Sequence, residues 1–140
     1  MNKIMKKYNF NIEESAKKLW ISKEQIKDLH KQGNVIGLHS HTHPTDITKL
    51  SKEGQYKEYL TNKNILEDII NDNIICMSHP CGRYNNDTLE VLKNLNIKIG
   101  FTSNMILNNN TKYEFLREDH ANIFNNLRKN NNYENNYIYK

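Results

Sequence analysis

Hydrophobic residues recur at a helical spacing in four segments of this chain. The pattern predicts a short helix over residues 11–20, a second from Ser22 to Gly33, a long helix over residues 51–70 and a fourth over residues 86–95. Ser22 followed by Gln25 is a capping-box pattern that marks the start of the second helix, and Gly33 marks its end. The long helix is expected to stop at Asp72 and Asn73.

Short apolar runs lie between the predicted helices and are typical of strands. They span residues 35–38, 74–77 and 98–102, and residues 113–120 form a further candidate strand that ends in charged groups. The alternation of helices with strands predicts an α/β fold with a parallel sheet, arranged as a layer or a barrel. Because functional loops gather at the carboxyl ends of parallel strands, the loops that follow the first two strands are expected to meet on one face.

Three of the six histidines follow the first predicted strand, at His39, His41 and His43. Neutral imidazole is a common metal ligand near neutral pH, so this run is a candidate metal site. A continued strand would hold His39 and His43 about 13 Å apart, and Pro44 disfavours a helical conformation at His43. We therefore expect a tight bend that returns His43 to His39, with His41 pointing elsewhere. The alternative interpretation is a polar turn with exposed imidazoles.

The first two predicted helices also suggest a helix-turn-helix. In that interpretation Lys23, Gln25 and Lys27 would face DNA. Two features oppose it. Trp20 occupies the turn position where glycine is usual, and a bulky residue resists positive φ. The segment that follows is also a predicted strand rather than a third helix.

The segment Ile36–Pro44 resembles the metal-binding motif of polysaccharide deacetylases, the NodB-homology family of carbohydrate esterases. In that motif His-Ser/Thr-x-x-His-Pro follows a strand. The matching positions are His39, Ser40, His43 and Pro44. The resemblance extends from Ser22 to Ile123 and implies a partial, deformed β/α barrel of the NodB type, with parallel strands alternating with helices.

The segment Ser78–Asn85 resembles a second motif of the same family, Arg-x-Pro-Tyr/Phe-Gly. Pro80 and Gly82 match it, whereas Ser78 stands where arginine is usual and Cys81 where an aromatic residue is usual. The resemblance implies that this loop forms one wall of a substrate groove. The expected substrate-binding residues are Pro80, Cys81, Gly82 and Tyr84.

The resemblance implies a metal-dependent hydrolase that removes acetyl from an N-acetylated amino-sugar polymer or glycan. His39 and His43 would hold a divalent metal, with zinc expected, and His120 would act as general acid. The metal would activate water and polarise the carbonyl. A catalytic zinc site usually has about three protein ligands and an open position.

Part of the catalytic set is missing from the sequence. In the family a Thr-Phe-Asp-Asp motif supplies the third ligand and the base, and no such motif precedes His39 here. Asp46 is the candidate substitute for the third ligand, without support from the family motif. We therefore expect an N-terminally truncated family member with weak activity or none. The alternative is a non-catalytic remnant that binds carbohydrate or a partner.

The composition bounds the remaining possibilities. At 140 residues, 36% of them hydrophobic, the chain is one domain at most. We expect a deacetylase-like domain over residues 1–124 and a disordered, asparagine-rich tail over residues 125–140. The net charge of +4 is spread along the chain and does not indicate a nucleic-acid partner. The two cysteines do not form a disulfide framework.

The same sequence predicts a cytoplasmic protein. No stretch approaches the roughly 18 apolar residues of a membrane span, and the basic segment Met1–Lys7 lacks the apolar region of a secretory signal. A sheet without its first strand has an unpaired edge, so self-association through that edge is expected.

Overall fold

The computed structural model describes residues 2–106 and 111–130. Its main elements follow the order predicted from the sequence, with two additional helices that were not predicted, Asn2–Lys7 and His120–Asn130. The helices are α1 (Asn2–Lys7), α2 (Ile12–Leu19), α3 (Lys23–Lys31), α4 (Lys52–Ile70), α5 (Asn86–Asn94) and α6 (His120–Asn130). The strands are β1 (Cys76–Ser78) and β2 (Ile99–Phe101), and 3-10 turns occupy Ile47–Lys49 and Pro80–Gly82.

Local hydrogen bonds explain where the predicted helices begin and end. The hydroxyl oxygen of Ser22 accepts a hydrogen bond from the amide of Gln25, and the side chain of Gln25 accepts one from the amide of Ser22, which confirms the predicted capping box. Gly33 follows the end of α3 with a φ of +89°, a left-handed conformation that suits glycine. Helix α4 ends at Asn71, whose φ of +54° is also left-handed.

The sheet is parallel, as predicted, but two of its four expected strands are reduced to single bridges. Strands β1 and β2 pair in parallel, Leu38 bridges Met77, and Phe115 bridges Phe101, also in parallel. The predicted strand 35–38 therefore pairs only at Leu38, because the chain turns into a left-handed conformation at Ser40. The predicted strand 113–120 pairs only at Phe115, and α6 begins at His120. The register pairs Cys76 with Ile99, Met77 with Gly100 and Ser78 with Phe101.

The buried core lies between this sheet and helices α4 and α5. Leu38 and Met77 contribute from the paired strands, and Tyr59 contributes from α4. The other buried apolar residues are Ile47, Ile69, Ile70, Ile74, Val91, Leu92, Leu95, Ile97 and Tyr113. Burial of this continuous apolar cluster is the main force that holds the motif-bearing loops against the helices.

Gly100 permits the closest backbone approach in the sheet. A Cβ at this position would lie 2.6 Å from the carbonyl oxygen of Tyr113 and 2.9 Å from its Cα. The Gly100 amide donates a hydrogen bond to the carbonyl of Lys112, at 2.9 Å, and the Phe115 amide donates one to the carbonyl of Gly100, at 2.9 Å. Glycine thus allows the segment around Tyr113 to lie against β2.

Helix α3, the second helix of the helix-turn-helix alternative, is packed into the domain. Helix α3 packs against α4, and Ile26 packs against the buried core. Trp20 lies in the turn between α2 and α3 with 77% of its surface exposed. Helix α1 was not predicted, because its segment has few apolar positions.

The C-terminal region agrees only in part with the sequence prediction. Helix α6 runs to Asn130, so residues 125–130 of the predicted disordered tail lie in a helix. Residues 131–140 of that tail, and residues 107–110 of the predicted asparagine-rich loop, lie outside the described residues. In the part of the chain that the structure describes, no helix has the length and apolar character needed to cross a bilayer.

Candidate functional site

The histidine loop after Leu38 bends as predicted. The ring centroids of His39 and His43 lie 4.9 Å apart, with the ring planes inclined at 55°. Two left-handed residues make the bend: Ser40 has a φ of +63° and His43 a φ of +53°. The hydroxyl oxygen of Ser40 accepts a hydrogen bond from the amide of His43, at 3.1 Å, which closes the turn. The bend therefore brings two imidazoles within reach of one ion.

The ring of His39 is oriented by strand β1. Its Nδ1 lies 2.9 Å from the carbonyl oxygen of Ser78 and 3.2 Å from the hydroxyl of the same residue. A carbonyl oxygen can only accept, so Nδ1 carries the proton and the lone pair is on Nε2. Metal-binding histidines commonly donate their other ring N–H to a backbone carbonyl in this way. His39 is therefore in the tautomer that a metal ligand needs.

Helix α4 holds the backbone of the histidine loop from the other side. The amides of His41 and Thr42 donate hydrogen bonds to one carboxylate oxygen of Glu58, at 3.1 and 2.8 Å. The hydroxyl of Thr42 donates to the other oxygen, at 2.9 Å. One helical turn later, the side-chain oxygen of Asn62 accepts from the amide of His39, at 3.0 Å. Burial by itself would raise the pKa of Glu58, but the hydrogen bonds from Thr42 and His41 outweigh it and lower the pKa.

Among the described residues, no third candidate metal ligand lies beside this pair. Over residues 2–106 and 111–130, no group of three histidine, cysteine, aspartate or glutamate side chains is placed to hold a metal ion. Asp46, the substitute suggested by the sequence, instead accepts hydrogen bonds from the amide and hydroxyl of Thr48 and caps the turn Ile47–Lys49. His41 bonds to Glu58 through its backbone, and its side chain is exposed.

The loop after β1 forms one wall of an open cavity of about 800 Å³. Gly82 and Tyr84 line it, and Arg83 and Asn85 add polar groups. Pro80 itself is buried. The substrate-binding roles of Pro80, Gly82 and Tyr84 stay predictions.

Comparison with known proteins identifies the origin of these two loops. The family model for polysaccharide deacetylase matches residues 2–100, which include both motif loops. This chain belongs to the polysaccharide deacetylase family. The resemblance inferred from the histidine loop is therefore confirmed.

Relatives within the polysaccharide deacetylase family are longer than this chain. YxkH of Bacillus subtilis, whose name assigns it to the same family, is 26% identical over 83 residues, which is 59% of this chain and 29% of YxkH. The deacetylase PplD of Streptococcus pyogenes, solved with acetate, is 30% identical with a TM-score of 0.64, covering 70% of this chain and 44% of PplD. The deacetylase domain of BpsB from Bordetella bronchiseptica is 14% identical with a TM-score of 0.61, covering 71% of this chain and 48% of that one. This chain thus spans less than half of each relative.

The predicted α/β fold is confirmed by these structural neighbours. The parallel pairing of β1 and β2, with helices between the strands, is a partial β/α barrel of the NodB type. In this arrangement both motif loops follow the carboxyl ends of adjacent paired strands. The hydrogen bond between His39 and the carbonyl of Ser78 joins the two loops directly.

Two further predicted site residues occupy exposed positions in this deacetylase fold. His120 begins α6, and its side chain is 96% exposed, with Nδ1 3.4 Å from a carboxylate oxygen of Asp119. Cys81 is exposed and adopts a φ of +52°. Their roles as general acid and substrate contact remain predictions.

His79 is a site-adjacent residue that the sequence analysis did not single out. It is 1% exposed, its Nε2 lies 2.8 Å from the carbonyl oxygen of Tyr113, and its ring stacks on Tyr84 at 4.2 Å. Burial lowers the pKa of His79 more than the hydrogen bond to Tyr113 raises it. The strand period could have indicated this position, because Met77 and His79 are two residues apart and both buried.

Proposed function

We propose that the chain carries part of the active site of a metal-dependent polysaccharide deacetylase, in which His39 and His43 hold a divalent cation. The observation that supports this proposal is the pairing of the two rings at 4.9 Å, with Nδ1 of His39 engaged by Ser78. Zinc is the expected ion because two imidazoles suit it. The reaction would be hydrolysis of the N-acetyl amide of an amino sugar. A divalent cation, when bound, polarises the acetyl carbonyl and acidifies water.

The side chains of the chain would divide the other tasks between them. His39 and His43 bind the cation through ring nitrogens, and the hydrogen bond to Ser78 keeps Nε2 of His39 available. Gly82 and Tyr84 line the cavity formed by the loop after β1 and would receive the sugar ring. Tyr84, already stacked on His79, presents an aromatic surface on which a sugar can lie.

Hydrolysis by this chain alone is expected to be slow or absent. Two imidazoles are fewer than the three ligands of a usual catalytic zinc site, and the described residues place no third ligand beside them. That same observation favours a second candidate function, in which the chain binds carbohydrate or a partner without catalysis.

Zinc titration by isothermal calorimetry tests the metal site. We expect saturable binding by the wild type and a loss of affinity of about 10-fold or more in His39→Ala and His43→Ala, because each removes one of two ligands. His41→Ala is the matched control, since it removes an exposed imidazole from the same loop. Equal zinc affinity in all four folded proteins would contradict the assignment of His39 and His43.

Acetate release separates the two candidate functions. The zinc-loaded chain would be incubated with N-acetylglucosamine oligomers, and acetate would be measured against the His39→Ala variant. Release above that variant would support a hydrolase. Oligomer binding without release, detected by calorimetry, would support the non-catalytic alternative.

A further inference from the structure

We propose that Glu58 and Asn62 are positioning residues that hold the histidine loop in the conformation that pairs His39 with His43. The metal-related part of this inference rests on the proposed function, whereas the pairing of the rings does not. Glu58 and Asn62 lie one turn apart on α4, which presents both side chains to the same segment. Neither residue belongs to the motifs recognised in the sequence.

The bonding pattern shows why α4 can fix the loop. Glu58 accepts three hydrogen bonds, from the amides of His41 and Thr42 and from the hydroxyl of Thr42. Asn62 accepts a fourth, from the amide of His39. These bonds anchor the backbone at His39, His41 and Thr42, so the loop between the two paired rings is fixed from outside.

The loop needs an external support because its conformation is strained. Ser40 and His43 both adopt left-handed φ values without being glycine. Such residues persist only when their surroundings determine the conformation. Within the loop, one hydrogen bond, from the His43 amide to the hydroxyl of Ser40, favours the bend. The four hydrogen bonds that the loop donates to side chains of α4 supply the larger part of the support.

The direct test measures ring proximity in the metal-free protein. In the wild type we expect nuclear Overhauser contacts between the ring protons of His39 and His43, whose centroids lie 4.9 Å apart. We expect these contacts to be lost in Glu58→Ala and retained in Glu58→Gln. Glutamine keeps an oxygen that can accept from both amides and an NH₂ group that can donate to the Thr42 hydroxyl. Asp68→Ala is the matched control, because it removes an exposed carboxylate from the same helix.

Zinc affinity provides the second readout. We expect Glu58→Ala and Asn62→Ala to weaken zinc binding by about 10- to 100-fold, the usual effect of losing a residue that orients a ligand. Glu58→Gln should restore most of the zinc affinity that Glu58→Ala loses. A general loss of stability would not explain that recovery. Thermal unfolding of each variant confirms that it is folded at the temperature of the titration.

The outcomes separate this inference from the proposed function. Ring contacts that are lost in Glu58→Ala and rescued in Glu58→Gln, in a wild type that binds no zinc, would support the positioning role and refute the metal site. Ring contacts and zinc affinity that survive in folded Glu58→Ala and Asn62→Ala would overturn the positioning role. If Glu58→Ala does not fold, Thr42→Val removes one of the three hydrogen bonds to Glu58, and it should weaken the ring contacts in part.

Discussion

Replacing Gly100 with alanine is expected to destabilise this domain strongly. The new Cβ would lie 2.6, 2.9 and 3.0 Å from three backbone atoms of Tyr113, whereas ordinary contact begins at 3.4 Å. The Tyr113 segment would have to retreat by about 0.8 Å, because backbone atoms cannot rotate away as a flexible side chain can. That movement would stretch the hydrogen bonds that join Gly100 to Lys112 and Phe115.

The magnitude follows from these opposing effects. Overpacking costs about 1–3 kcal/mol, and weakening two hydrogen bonds costs about 1 kcal/mol each. Alanine recovers about 0.4–1 kcal/mol by restricting the unfolded chain. The net loss should be about 2–5 kcal/mol of the free energy of unfolding. For a chain of this size that lowers Tm by roughly 6–20 °C.

Urea denaturation and thermal unfolding measure the effect, with Gly54→Ala as the matched control. Gly54 lies in α4, where a Cβ would meet the Leu50 Cβ at 3.3 Å and no backbone atom closely. Alanine there should be neutral or stabilise by up to about 1 kcal/mol through helix propensity. If Gly100→Ala is as stable as the wild type to within about 0.5 kcal/mol, the close approach of Tyr113 to β2 is refuted.

Two other predictions concern buried polar groups. Because the pKa of His79 is lowered by burial, the unfolded chain takes up a proton below pH 6.5 that the folded chain does not. The free energy of unfolding should therefore fall as the pH drops from 6.5 toward the lowered pKa, by at most about 1.4 kcal/mol per pH unit. In urea unfolding, His79→Asn should show a shallower dependence of stability on pH. Identical pH profiles for the two proteins would count against this prediction. The buried hydroxyl of Tyr59 has no hydrogen-bond partner among the described residues, so Tyr59→Phe should raise the free energy of unfolding by about 1 kcal/mol. Thermal unfolding of the exposed control Tyr56→Phe should show little change, and a clear loss of stability in Tyr59→Phe would reveal a partner for the hydroxyl.

The histidine bend could be predicted from its local sequence, although the contacts that support it could not. Three histidines at alternate positions, followed by Pro44, restrict the conformations that the segment can adopt. The ends of α3 were predictable for the same reason, since Ser22, Gln25 and Gly33 act through neighbouring backbone groups. The order of α2 to α5 and of β1 and β2 followed from hydrophobic periodicity.

The lengths of the outer strands could not be predicted in this way. Residues 35–38 are apolar enough for a strand, yet pairing is confined to Leu38 because Ser40 turns left-handed just beyond it. Similarly, the pattern at 113–120 does not show that pairing is confined to Phe115. The length over which a strand pairs depends on the backbone path of the neighbouring segments. The side-chain pattern of one segment carries no information about that path.

The support from α4 was equally hidden in the sequence. Glu58 and Asn62 look like ordinary polar residues of an amphipathic helix. Their partners lie 16 to 23 residues earlier in the chain, in a different element. Only the packing of α4 beside the histidine loop gives these two side chains a specific task.

The hydrogen bond between His39 and Ser78 shows that the histidine motif depends on distant parts of the chain for its conformation. These two residues are 39 positions apart, and His79 meets Tyr113 across 34 positions. Contacts between residues so far apart in the sequence form only if the entropy cost of closing a long loop is overcome. They cannot form by the stepwise pairing of neighbouring residues. A synthetic peptide of residues 36–44 would contain every residue of the first motif, but it would lack the carbonyl and the carboxylate that orient it. The nine-residue motif is therefore a recognisable signature without being an autonomous site.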